Sequence, residues 1–463
     1  MANHYCASIR SKLLTVCRFG IFMGLVGQSL PAVGQTWTNG AADNDFLNAS
    51  NWSSAPNFNS NATTLTVNLD GVNKATLNST VTLIRTLKVG DGVGSVGEVL
   101  VDNSGSLTTD RNIELGDDAS DLGVGTMTVN GGVVSTGRGL LIGPLANAGS
   151  VFNLNSGTVS VNSSGANIIG LRVGHSNNGN GSLNITGGTM TVINGVGRFS
   201  DSADGLAPSN ASLAISGSGS LIVSNDLIRF GGQDTTTAAN TASVSISDSG
   251  LLESTIGNVQ FARANNSQVT VNLSGNGTMY ASNSFTFGRG TGSTTTLTMT
   301  GGLIDGDRID CGTQAGATAT LNVSGGTISA SSRSPSTAGF NQGSLYLGEG
   351  GPVVNLSGNA KIVAERLLIN DGASVLNLTD SALVDIKGSV REISPGLLEN
   401  GASTFDFTAQ FFTGLWAEVL GKVRLNEVGT VLRVEGQSET MDAELPEDPA
   451  LVVNYLDLFN AAI

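Results

Sequence analysis

Apolar and polar residues alternate through most of the chain, and the alternation breaks every four or five residues at Gly-Gly, Ser-Gly or Gly-Asn. One phrase recurs: apolar-x-apolar-x, a small or polar pair, then x-apolar-x-apolar. Clear copies are Leu183-Asn-Ile-Thr-Gly-Gly-Thr-Met-Thr-Val192 and Leu321-Asn-Val-Ser-Gly-Gly-Thr-Ile-Ser-Ala330, with others beginning at Met127, Leu297 and Val354. A second phrase ends in glycine, as in Leu171-Arg-Val-Gly174, Ile228-Arg-Phe-Gly231 and Leu345-Tyr-Leu-Gly348. Alternation with period two predicts short strands with one buried side. The Gly-containing pairs predict tight turns between them.

The second apolar residue of the first phrase serves as a ruler. It falls at Val101, Val129, Leu154, Ile185, Ile215, Ile246, Leu273, Met299, Val323, Leu356 and Leu378, a mean step of about 28 residues. A period in the twenties with two or three strands per copy is a solenoid coil, which buries its apolar side only against its neighbours. The expectation is an all-β fold: a right-handed, single-stranded parallel β-helix of about 11–12 coils, each rising roughly 4.8 Å. Residues 1–34 read as a signal peptide, 35–64 as an N-terminal cap, 65–395 as the β-helix repeats and 396–463 as a C-terminal β-rich capping region. Uneven steps predict loops at one corner, such as 200–208 and 331–339.

The phrases Leu-Asn-Ile-Thr-Gly-Gly-Thr-Met and Leu-Arg-Val-Gly make 65–395 resemble secreted bacterial β-strand-repeat proteins. These include autotransporter-type passenger regions and the wider pectin-lyase-like β-helix group. The resemblance implies architecture, and the group holds adhesins, surface proteins and polysaccharide lyases. Only 68 residues follow Pro395, too few for a translocator barrel.

The flanks differ from the repeats. Arg10, Lys12 and Arg18 precede the apolar stretch Phe19–Val26, and Ala32 and Gly34 have the spacing of a cleavage site, the pattern of a secretory leader. The protein is therefore expected to be exported, secreted or at the cell surface. No apolar run approaches the ~20 residues of a membrane span. Trp37 and Trp52 are expected to cover the exposed end of the first coil. In the tail, 403–412, 421–425 and 431–434 read as longer strands, with 451–459 as a closing segment.

Composition narrows the function. The chain of 463 residues has 63 Gly, 13% charged and 39% hydrophobic residues, and a net charge of -15. It has no collagen triplet period and too many apolar residues for a disordered acidic tail. With 22 basic against 37 acidic residues, it is not expected to bind nucleic acid. Loss of the leader leaves 19 basic residues and a charge of -18. It also leaves one cysteine, Cys311, and one histidine, His175, so neither a disulfide framework nor a His/Cys zinc site is available. Cys311 alternates with Ile309 and is expected to face the core. His175, in Val173-Gly-His-Ser, is expected to be a solvated corner in preference to a catalytic base.

Several side-chain sets remain as candidates. Calcium needs only oxygen ligands, and Asp305, Asp307 and Asp310 are the leading set, with Asp91 and the Asp117-Asp118-Ala-Ser-Asp121 stretch beside them. None has EF-hand or nonapeptide spacing, and solvated turns are the plainer reading. Asp307, Arg308 and Asp310 are also the densest group for a glycan-cleaving site, although adjacent strand residues diverge. Outward positions of the first phrase form polar pairs: Asn184/Thr186, Asn322/Ser324 and Asn355/Ser357, with Thr128/Asn130, Asn272/Ser274, Thr298/Thr300 and Asn377/Thr379. Stacked, they would present Asn, Ser and Thr to a polysaccharide, a cell-surface polymer or even ice; the plainer reading is a solvated wall of mutually bonded amides. Arginine recurs about once per coil at 85, 111, 138, 172, 198, 229, 263 and 289. These are expected to form short stacks paired with acids such as Glu114 and Asp91, or else to bind an acidic glycan, against which the overall charge argues.

The function expected is that of an exported structural, surface or adhesion protein, without catalysis or cofactor, calcium aside. The alternative is a polysaccharide-degrading enzyme, a lyase or glycoside hydrolase. An enzyme should bring acidic and basic side chains together in a groove; an adhesin should show uniform columns.

Overall fold

The computed structural model describes residues 34–385 with their side chains, apart from 117–122, 145–148, 164–168, 177, 203–206, 234–237, 333–341 and 371–373. Beyond 385 it describes backbone strands as far as 458. The leader and the Asp117–Asp121 candidate lie outside the described residues, as do parts of both predicted loops.

Each coil supplies three short strands, and each strand pairs in parallel with its counterpart one coil on. The result is a parallel β-solenoid with three faces. The first holds Asn180–Ile185, Asn210–Ile215, Thr241–Ile246 and Gln268–Leu273, and the second Thr189–Ile193, Ser220–Ser224 and Leu251–Ser254. The third holds Gly170–His175, Gly197–Asp201, Ile228–Phe230 and Val259–Phe261. All the ruler positions from Val101 to Leu378 fall in one column, each directly opposite the next. Every one of them is buried. Repetition of the phrase thus becomes repetition in space, because a column of like side chains packs in the core only if coils keep register.

Behind the third face lies an aromatic column. Phe199, Phe230, Phe261 and Phe287 stack with centroids 4.6, 5.1 and 5.0 Å apart and planes within 21° of parallel. Cys311 takes the next place above Phe287, fully buried, as its alternation with Ile309 predicts.

The glycine closing the third strand is required by geometry. Gly143 and Gly174 have φ of 60° and 59°, and a Cβ on either would lie 1.8 Å from a carbonyl oxygen, that of Asn180 or Asn210. The chain turns sharply here toward the start of the next coil, which only a residue lacking Cβ does without strain.

At the N-terminal end, Trp37, Phe46, Trp52 and Phe58 form an aromatic cluster packed on the core. Both indole N–H groups are satisfied: Trp37 donates to the Asn73 carbonyl at 2.9 Å and Trp52 to that of Phe46 at 2.8 Å. In the tail, strands from Thr404–Phe407 to Leu456–Leu458 pair in the same parallel order and prolong the stacks. No helix among the described residues is long and apolar enough to cross a membrane.

Candidate functional site

Two outward faces stand out, and they differ in kind. On the first face the expected polar columns are present. Asn184 donates to Asn153 at 2.9 Å, Asn355 to Asn322 at 2.8 Å and Asn377 to Asn355 at 2.8 Å. Thr186 donates to Asn155 at 3.3 Å, and the Ser324 hydroxyl reaches the Met299 carbonyl at 3.5 Å. Ser357 is held by its backbone N–H on the Val323 carbonyl at 2.8 Å. The amides therefore spend part of their capacity on one another.

The asparagine column is also interrupted. Between Asn184 and Asn322 it passes through Ala214, Ser245, Asn272 and Thr298. In these middle coils the outward side chains are Thr241, Ser243 and Ser245, Gln268, Thr270 and Asn272, Thr294, Thr296 and Thr298, then Thr318 and Thr320. Thr241 donates to Asn210; the others make no side-chain hydrogen bond within the described residues. They form an uncharged grid, with spacings of roughly 4.8 Å along the axis and about 6.8 Å along each strand. Thr298 and Asn272 belong to the predicted set; Ser243, Thr270, Thr296 and Thr320, one outward position earlier, do not. Their signal was in the sequence, in the run of alternate Thr and Ser preceding each ruler residue.

The third face is recessed and charged. By alternation Gln260, Thr286 and Asp310 point away from the core, yet they are only 4%, 5% and 7% exposed. Their column continues downward into arginine: Arg172, Arg198 and Arg229 stand opposite one another in successive coils, then Gln260, Thr286, Asp310 and Tyr346. Three residues further along each coil stand His175, Asp201, Gly232, Arg263 and Arg289 in turn. Arg198 donates to Asp201 at 3.0 Å, and Gln233 reaches the same carboxylate oxygen at 3.1 Å. Arg263 donates to Gln260 at 2.6 Å. A cleft of about 310 Å³ opens where Gln260, Thr286, Arg289 and Asp310 meet.

His175 corrects the expectation of a solvated corner. It ends a strand and is buried, with Nδ1 2.8 Å from the Asp201 carbonyl oxygen and Nε2 against the Arg172 guanidinium. Burial, reinforced by the Arg172 charge, lowers its pKa. Among the recurring arginines, Arg198 pairs with an acid, Asp201, while Lys88 stands beside both Glu114 and Asp91, at 3.9 and 3.0 Å.

The calcium candidates are divided. Asp305 sits on the second face opposite Tyr280 and Ser329, Asp310 on the third face, and Asp307 at the corner between them. No three His, Cys, Asp or Glu side chains among the described residues form a metal-holding group. Asp307 and Arg308 diverge as the strand pleat requires, whereas Arg308 and Asp310, two apart, share a face and pair. The Arg308 guanidinium also lies 4.9 Å over the Tyr346 ring. Burial pushes the Asp310 pKa up to about 6 despite the opposing pull of Arg308 and Arg289.

Comparison with protein-family models, curated proteins and solved structures finds no match for this chain. What is established is the architecture, a parallel β-solenoid of the kind β-helix proteins share. Fold alone does not assign an activity.

Proposed function

We propose that the protein is an exported, non-catalytic surface or matrix component that lays its first face against an ordered, uncharged polysaccharide. The observation carrying this reading is the grid of outward hydroxyls and amides spanning Ser243–Thr320, held in register by the solenoid and not consumed by internal hydrogen bonds. A rigid grid binds a periodic polymer at low entropic cost, since its side chains are already placed. Stiff β-branched Thr side chains serve that end better than long charged ones.

The test is retention on insoluble glycans such as cellulose and chitin. The Thr270→Ala, Thr296→Ala, Thr320→Ala triple variant should lose most retention. Changing Asn184, Asn322 and Asn355 together should weaken it less, because those amides are engaged with one another. Full retention by the threonine triple would reject the reading.

A specific observation favours the catalytic alternative as a second reading. Arg308, Asp310, Arg289 and Tyr346 bring acidic and basic groups together at a cleft, and a carboxyl with a pKa near 6 suits proton transfer. Incubation with a panel of uronic-acid polymers, with and without calcium, should then yield unsaturated products with the wild type and none with Asp310→Asn.

A further inference from the structure

The second face has no part in either reading above, and its outward side chains differ in kind from those of the first. From Asn180 to Asn322 the first-face strands put no aliphatic side chain larger than Ala214 outward. The second face carries Ile193, Ile222, Leu251 and Leu303 outward in the same coils, then Val363 and Leu383, all half-buried. These lie within eight successive coils, paired strand to strand from Thr189–Ile193 to the strand that begins at Leu383. At roughly 4.8 Å per coil and 3.3 Å per residue, such a face measures about 38 Å by 17 Å. Two copies laid face to face would bury about 1,300 Å², enough for a specific dimer.

The order of side chains also matches its own reverse. Let a second copy be turned over about a line parallel to the strands, between the coils of Tyr280 and Asp305. In the central column Tyr280 then meets Asp305, Glu253 meets Ser329, Ile222 meets Val363 and Thr191 meets Asp385. In the flanking column Thr278 meets Leu303, Leu251 meets Thr327, Thr189 meets Leu383 and Ser220 meets Lys361. Each aliphatic side chain in these columns faces another or a threonine methyl, and each charge faces a neutral polar group. Slipping the second copy by one coil destroys the match. In one direction Glu253 faces Asp305; in the other Asp305 faces itself and Ile222 faces Asp385. Like charges set opposite one another select against both slips.

We propose that the partner of the second face is a second copy of this chain, in a two-fold dimer whose solenoids run antiparallel and whose axis passes between Tyr280 and Asp305. The interface is isologous, so each pairing occurs twice. A foreign protein would also bury the aliphatic side chains, but it would give no reason for the face to complement its own reverse. The inference goes beyond the first-face reading and stands without it, since it uses a different face.

The experiment is sedimentation equilibrium on the full chain, which should show twice the chain mass at micromolar concentration. Ile222→Asp should weaken the dimer at least tenfold, and Thr126→Asp on the first face should leave it intact. Ser329→Asp sets a carboxylate against Glu253 of the second copy and should also weaken it; adding Glu253→Lys should restore it. Cross-linking reads the register directly and needs no loss of stability. With Cys6 and Cys17 changed to serine and Cys311 buried, a mixture of Glu253→Cys and Ser329→Cys proteins should be joined by a short bis-maleimide, and neither protein alone should be. A monomeric wild type would overturn the proposal and leave the face to a different protein. Loss of the dimer with Thr126→Asp but not Ile222→Asp, or cross-linking of either cysteine variant to itself as readily as in the mixture, would overturn it too.

Discussion

At the residue scale, single positions reveal what the coil geometry demands. Gly174 combines a left-handed φ of 59° with a carbonyl 1.8 Å from any added Cβ. Gly174→Ala should therefore cost roughly 2–4 kcal/mol in chemical denaturation, from the left-handed penalty plus overpacking. One column position is met elsewhere by Ala262, at φ 53°. Ala262→Gly relieves that strain and should raise Tm slightly. Asp310 gives a pH signature. Its folded pKa of about 6 lies above the ordinary aspartate value of 3.8. Its contribution is fully present below about pH 4 and is lost as pH rises through 6. Wild-type Tm should fall relative to Asp310→Asn between pH 4.5 and 7; a constant gap would contradict the burial argument. His175 acts oppositely. Its lowered pKa means stability is present above about 6.5 and is lost as pH falls, so measuring Asp310→Asn isolates this second slope. The buried Cys311 thiol is raised well above its usual range by burial and by Asp310. It should resist alkylation in the native protein and react only on unfolding.

At the scale of the element, the columns matter more than the strands. A strand such as Ile228–Phe230 is three residues long and has no stability of its own. What fixes it is Phe230, stacked between Phe199 and Phe261 at 4.6 and 5.1 Å. Phe230→Ala should cost about 3–5 kcal/mol, read as a lowered denaturation midpoint. Because Arg229 is the neighbour of Phe230 on that strand, the loss should also loosen the arginine column. The asparagine ladder is the surface counterpart. Asn355 both donates to Asn322 and accepts from Asn377. These bonds are solvent-facing, so Asn355→Ala should cost only about 1 kcal/mol.

For the whole molecule, the three faces do different work on one scaffold. The first is open and uncharged, while the third is recessed and carries charges of both signs. A solenoid permits this because each face is read from its own sequence position, independent of the others, while the interior stays apolar throughout. The repeat itself was fully legible in the sequence. Residues spaced unevenly along the chain share a column because unequal loops at the corners absorb the difference in step. His175 shows the limit of local reading. Its neighbours Gly174 and Ser176 look like an exposed turn, but the Asp201 carbonyl that buries it comes from the next coil, 26 residues later.

Alternation and period were enough to determine strands, inward columns, the position of Cys311 and the stacking of arginines, because these depend only on which residues repeat. Tertiary structure alone decided which outward positions are recessed and which are open, which acid meets which base, and that Asp305 and Asp310 part company around a corner. Those outcomes depend on where each coil bends and on what the neighbouring coil presents there, and neither is encoded in a single copy of the repeat.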